Sequence, residues 1–380
     1  MNLKFKNGKF TLLQVSDPQD LQFVRPTMVR MLNIAYDRVK PDLVVLTGDN
    51  ILGNHLCDAR FGSRIVLDTK EKEFGAMKKA IDNVVAPIEK RNIPFAMIYG
   101  NHDDRNRHTK DEQADIYRSY KNCVGLDDPA SPDCDTYNIP IYSEDGKKIC
   151  YNLYMLDSAW YDREQDKCFE CVKPEAVEWY KKKSAELKAQ NGGKPVPSLM
   201  FQHIPMRTEL EFLEECGEND KGAVPGCDEG KGKFFRLKNG IDGEIYEYPS
   251  VVRDDNGQTA ALKECGDVKA VIFGHDHPNC FEASLDGIDY IQTSCASFRC
   301  YGARNRGVRV FNLYEDGSYS TEFLTYKDLC GDSVFSELCY IWDADGMAKQ
   351  KAALIGACGA AVLSGAAAIA AFKKKHGRKK

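Results

Sequence analysis

The feature that most constrains this fold is an alternation within the first hundred residues. Residues 10–16 (Phe-Thr-Leu-Leu-Gln-Val-Ser) form a short apolar run that ends at Asp17-Pro18-Gln19-Asp20. Pro18 lacks the amide that a ladder needs, so the predicted strand stops there. Val24, Met28, Met31, Leu32 and Ala35 then recur at helical spacing. A second run, 43–47, ends at Gly48-Asp49-Asn50. Residues 74–91 predict another helix, with Met77, Ala80, Ile81, Val84 and Ile88 on one face. A third strand, 93–99, ends at Gly100-Asn101-His102-Asp103. Continuous apolar strands alternating with helices require a sheet covered on both faces. In such sheets, ligands gather beyond the carboxyl ends of the strands.

The rest of the chain carries more antiparallel signals. Runs 137–142 and 148–156 flank Ser143-Glu144-Asp145-Gly146, a hairpin pattern. Pro174 opens a helix that Asn191-Gly192-Gly193 closes. Strand 198–202 ends at His203, and strand 268–273 ends at Gly274-His275-Asp276-His277. Two further hairpins are expected around 285–288 and 316–317. Loop insertions are expected at 51–72 and 207–262. The second is Gly-rich and acidic, and reads as a lid or substrate wall rather than core.

Net charge is −5, but the last eight residues hold six Lys/Arg. Without them the body carries 46 basic against 57 acidic residues. So acidic a body argues against a nucleic-acid partner. The fifteen cysteines are scattered. The N-terminal residues show no apolar signal region, so no secretory signal and mostly reduced thiols are expected. Cys168-Phe169-Glu170-Cys171 lacks a second such pair and reads as two unpaired cysteines.

Gathered from the strand ends are Asp17, Gln19, Asp49, Asn101, His102, His203, His275 and His277. They supply two carboxylates, two amides and four of the seven histidines. A carboxylate can bridge two cations, and mixed N/O ligation suits Mn, Fe or Zn. Two ions ~3.5–4 Å apart activate a bridging hydroxide for in-line attack on phosphorus. His102 can stand beside the metals and protonate a leaving group, with Asp103 bracing its ring.

In this order the blocks resemble the calcineurin-like metallophosphoesterases, whose pattern is D-x-H, G-D, G-N-H-[DE], H, G-H-x-H. The resemblance covers roughly residues 8–315 and is similar above all to the Dcr2-type and purple-acid-phosphatase-28/29-like branch. It implies a mixed α/β (α+β) fold, a four-layer αββα sandwich. It implies one ion held by Asp17, Gln19, Asp49 and His277. The second ion would be held by Asp49, Asn101, His203 and His275, with His102 as general acid. The expected activity is a dinuclear phosphatase or phosphodiesterase acting on a phosphorylated substrate. Gln19 departs from the usual histidine; its harder carbonyl oxygen favours Mn or Fe over Zn. Leu52 replaces the ligating tyrosine of purple acid phosphatases, so no purple colour is expected.

The expected layout is a phosphoesterase domain over 1–325, a linker over 326–350, an apolar helix over 352–372 and a basic tail over 373–380. Residues 352–372 carry no charge. As a helix they would span about 31 Å at ~1.5 Å per residue, close to a ~30 Å hydrocarbon core. A C-terminal transmembrane helix is therefore expected, with a cytoplasmic protein or a docked Ala-rich helix as the alternative. Two rival functions remain. A non-catalytic metal-binding scaffold draws on Gln19. A metallo-β-lactamase fold would need an early His-x-His, and the one here is late.

Overall fold

The computed structural model describes residues 3–59, 62–126, 128–347 and 350–356. In chain order, β1 (Leu3–Lys4) and β2 (Lys9–Val15) precede α1 (Pro26–Val39), β3 (Leu43–Thr47), α2 (Lys70–Glu89) and β4 (Phe95–Ile98). Next come α3 (Lys110–Arg118), β5 (Tyr137–Tyr142), β6 (Ile149–Met155), β7 (Ala159–Asp162) and β8 (Lys167–Glu170). Helix α4 (Pro174–Gln190) leads to β9 (Ser198–Phe201), β10 (Leu213–Cys216), β11 (Val224–Pro225), β12 (Phe234–Leu237) and β13 (Asp242–Glu244). Helix α5 (Gln258–Cys265) precedes β14 (Val268–Phe273), β15 (Cys280–Leu285), β16 (Ile288–Gln292), β17 (Gly307–Tyr314) and β18 (Tyr319–Thr325). Helices α6 (Tyr326–Cys330) and α7 (Val334–Asp343) follow.

Two sheets dominate. The first runs β18-β17-β2-β3-β4 and the second β1-β5-β6-β9-β14-β16-β15-β13. Both have a parallel centre, β2-β3-β4 in one and β6-β9-β14-β16 in the other. Antiparallel strands flank each centre. The expected hairpins β5–β6, β15–β16 and β17–β18 all form.

Period-two alternation along β9 and β14 shows how the layers stack. Leu199, Phe201, Ala270 and Ile272 join a core shared with β2, β3, β4, α1 and α2. Met200, Val271 and Phe273 point the other way, into a second core with α4 and α5. Phe201 meets Phe311 of β17 across the interface, with ring centroids 6.2 Å apart. The order is helices, sheet, sheet, helices, the expected αββα sandwich.

Two expectations about layout need correction. Residues 207–262 are not one lid: β13 extends the second sheet, and Phe212, Leu213, Ile245, Ala261 and Leu262 belong to its core. Nor are residues 326–350 a linker. Helices α6 and α7 dock through Tyr326 and Tyr340, both buried, whose rings pack edge-on against Phe298.

Among the described residues no helix is long and apolar enough to cross a membrane. Of the expected 352–372 helix, only 352–356 is described, within a helix over 350–356. Residues 357–372 and the basic tail lie outside the described residues.

Candidate metal centre

A buried polar network fixes the strand ends beneath the site. Gln14 Nε2 donates to Thr47 Oγ1 (3.0 Å) and to the Phe273 carbonyl (3.2 Å), tying β2, β3 and β14 together. Thr293 Oγ1 donates to Gln14 Oε1 at 2.8 Å, and Arg309 Nε donates to Thr293 Oγ1 at 3.0 Å.

Beyond these ends the backbone leaves ordinary strand geometry. Asp17, Gln19, Asp49 and His275 have φ of 46°, 28°, 46° and 72°. Left-handed non-glycine residues are uncommon, and four at neighbouring strand ends mark a site that surrounding structure holds under strain. Two glycines make room for it. A Cβ on Gly48, itself at φ 89°, would lie 2.5 Å from His203 Nδ1. One on Gly274 would collide with Ser16 Oγ and the Asp17 carboxylate.

The ligand-type atoms converge. Asp17, Asp49 and His203 place one such atom each within 4.8 Å of one another, and all three are buried. His203 Nε2 lies 3.5 Å from Asp49 Oδ2 and 3.9 Å from Asp17 Oδ1. His277 Nε2 lies 3.5 Å from Asp17 Oδ1. The His275 ring meets the His203 ring at 5.2 Å, nearly perpendicular, and its amide donates to Asp17 Oδ2 at 3.0 Å. Gln19 Nε2 donates to Asp49 Oδ2 at 3.0 Å. Asn101 Oδ1 faces His203 Nε2 at 3.2 Å.

Ring tautomers are set from behind. His203 Nδ1 lies 2.9 Å from the Thr47 carbonyl, and His277 Nδ1 lies 3.0 Å from that of Tyr301. Each Nδ1–H therefore donates backward and Nε2 points into the site, the usual arrangement of a ligating histidine. In a neutral His203 the Nε2 lone pair would then face the Asn101 oxygen, acceptor against acceptor. A cation or a proton between them resolves that contact. Asp17 Oδ1 and Gln19 Oε1 are likewise buried without a hydrogen-bond partner. Orphaned oxygens and inward imidazoles fit a metal ion.

The electrostatics agree. Burial alone would raise the Asp17 and Asp49 carboxyls, but the facing His203 imidazole holds both below their ordinary range. Burial would lower His203; the Asp49 and Asp17 carboxylates override it and hold the ring up to about 10. Without metal, a proton thus takes the place where a cation fits.

His102 is half-buried at the rim. Its amide donates to Asp49 Oδ1 at 2.8 Å, and its Nδ1 has no partner. The expected Asp103 brace does not form. Asp103 instead accepts the Ile51 amide (2.9 Å) and the Gly100 amide (2.8 Å), and His102 Nδ1 is left without a partner. It positions the two ligand loops. Burial, then the Asp49 charge, push its carboxyl up to about 8. Asp276 accepts the Ser250 amide at 3.2 Å.

The sequence missed the loop over 293–306. Its Ala296 and Ser297 amides donate to the carbonyls of Ser16 (2.8 Å) and Asp17 (3.0 Å). Its Tyr301 ring stacks on His277 at 4.4 Å and 20°. Little in its composition betrays this, because the contacts form only once the chain is folded. A second acidic group, Asp133, Asp135 and Asp157, also clusters. There Lys110 already supplies the cation, 2.7 Å from Asp157 Oδ2 and 3.7 Å from Asp135 Oδ1.

Comparison with known proteins accords with this geometry. The profile "Calcineurin-like phosphoesterase" matches residues 10–279. An Arabidopsis thaliana protein named "Probable inactive purple acid phosphatase 29" is 27% identical over 328 residues, 78% of this chain and 74% of the relative. "Phosphatase DCR2" of Saccharomyces cerevisiae is 25% identical over 279 residues, 70% of this chain and 39% of the relative. A solved dimetal phosphatase from Danio rerio superposes with a TM-score of 0.45 at 13% identity, covering 83% of this chain and 99% of that one. With 10–279 matched, and the strand-end residues gathered at one site, the chain belongs to the calcineurin-like phosphoesterase family.

Proposed function

We propose that the chain is a dinuclear metal-dependent hydrolase of phosphate esters. The observation that carries this reading is the convergence of Asp17, Asp49 and His203 at strand ends, with orphaned oxygens on Asp17 and Gln19. Asp17, Gln19, Asp49 and His277 would hold one divalent ion; Asp49, Asn101, His203 and His275 would hold the other. Bound there, the pair supplies Lewis acidity to a phosphoryl oxygen and to a water nucleophile. Gln19 favours Mn or Fe over Zn. His102, whose Nδ1 has no competing partner, protonates the leaving oxygen. The Thr47 and Tyr301 carbonyls keep His203 and His277 in the ligating tautomer. The substrate is a phosphorylated molecule other than nucleic acid, in keeping with the acidic body.

A metal-binding scaffold without turnover is the second reading. It draws on Gln19 and on the word "inactive" in the Arabidopsis relative's name. Phosphate release from p-nitrophenyl phosphate with added Mn separates the two. Under our reading the wild type turns over, and His102→Ala keeps its metal while losing ~10²–10⁴-fold in rate. A metal-loaded wild type with no turnover would favour the scaffold.

A further inference from the structure

A cleft of about 800 Å³ is lined by residues close in the chain to the metal centre, and by none of its proposed ligands. Six of its lining residues matter: Arg25, Leu52, Arg64, Arg299, Trp342 and Lys351. Its walls are the loops that carry the site. The Leu52 amide, three residues past Asp49, donates to the Asp20 carbonyl at 3.0 Å. Gly53 packs so tightly on the backbone of His102 and Asp103 that a Cβ there would collide with both carbonyls. Arg299 binds the Asp20 carboxylate and the Phe23 carbonyl (2.6 Å), and the next residue, Cys300, reaches the Gln19 carbonyl with Sγ at 3.6 Å.

The cleft is cationic within an acidic protein. Arg64 and His55 share Asp58, each at 3.3 Å, and Arg299 is matched by Asp20. Arg25 and Lys351 form no ion pair among the described residues, and Arg25 Nε is buried without a partner. Lys351 is held below its ordinary value by burial and then by the Arg25 charge, against the weaker opposing pull of Asp345 and Asp343. Two cations without an ion pair among the described residues therefore line one cleft, while Trp342, about half exposed, and Leu52 supply apolar surface.

We infer that this cleft receives the leaving group, and that it selects phosphate monoesters whose flat or apolar leaving group bears a second anionic group. The inference rests on the phosphoesterase reading above. A volume of this size suits one small organic molecule, and an anion between Arg25 and Lys351 would satisfy both.

The test compares phenyl phosphate with 1,4-phenylene bisphosphate on the Mn-loaded protein, by steady-state kinetics and by calorimetric binding of the bisphosphate. The wild type should show a KM for the bisphosphate roughly tenfold below that for phenyl phosphate. Arg25→Ala and Lys351→Ala should each remove that preference, with kcat/KM for phenyl phosphate within about twofold of wild type. Arg25→Lys should recover part of it. Turnover with equal KM values, or a preference untouched by both alanine variants, overturns the inference and leaves the phosphoesterase reading standing. No turnover of either compound sinks that reading and the leaving-group role together. Calorimetry then decides the anion site: binding lost in Arg25→Ala supports it, and unchanged binding overturns it.

Discussion

His203 carries the pH behaviour of the site at the scale of one residue. Its Nδ1–H is committed to the Thr47 carbonyl, so whatever neutralises Asp17 and Asp49 must sit at or near Nε2. In the metal-free protein that is a proton, held up to about 10. A raised folded-state value contributes stability that is complete below the unfolded value of ~6.5 and is lost as pH climbs through about 10. Asp103, pushed up to about 8, loses its contribution in the same direction. Thermal melts in chelator should therefore fall between pH 6.5 and 10. Metal-loaded melts should fall less, because ions rather than protons then balance the carboxylates. Parallel curves with and without chelator would contradict this.

Among the elements, the 293–306 loop depends on one side chain. Arg306, fully buried, donates to the carbonyls of Ser297 (2.6 Å), Ala303 (2.8 Å) and Cys300 (3.0 Å), and to Tyr340 Oη of α7 (2.9 Å). Hydrogen bonds from a charged donor are worth ~1.5–3 kcal/mol each. Arg306→Met should cost at least ~3 kcal/mol in denaturant unfolding. Arg306→Lys should recover little, since an ammonium cannot span the same fork. A change within ~0.5 kcal/mol for the Met variant would show the loop to be held otherwise. This loop also marks where sequence reading stops. Asp17, Asp49, Asn101, His203, His275 and His277 were legible because each follows an apolar run within a few residues. Tyr301 and Arg306 were not, because their roles exist only once β17 and α7 are folded against the strand ends. Helix α5 hid for a local reason: its N-cap is Gly257, which offers no capping side chain. Likewise, the docking of α7 through Tyr340 is a tertiary fact that a ten-residue pattern does not announce.

The two sheets share one core across their interface, so both halves of the proposed ligand set depend on it. Asp17, Asp49 and Asn101 come from the first sheet; His203, His275 and His277 come from the second. That division follows from the βαβ alternation read at the outset, repeated in both sheets with their strand ends meeting. It makes Asp49, buried between His203, Gln19 and the His102 amide, the residue on which the account turns. The most direct measurement is phosphate release from p-nitrophenyl phosphate by Mn-loaded wild type beside Asp49→Asn, with metal content determined for both. We predict turnover in the wild type, and in the variant loss of metal with a rate lowered by at least ~10³-fold, on the order of ~4 kcal/mol of barrier. Equal rates in the two proteins would contradict the proposed centre.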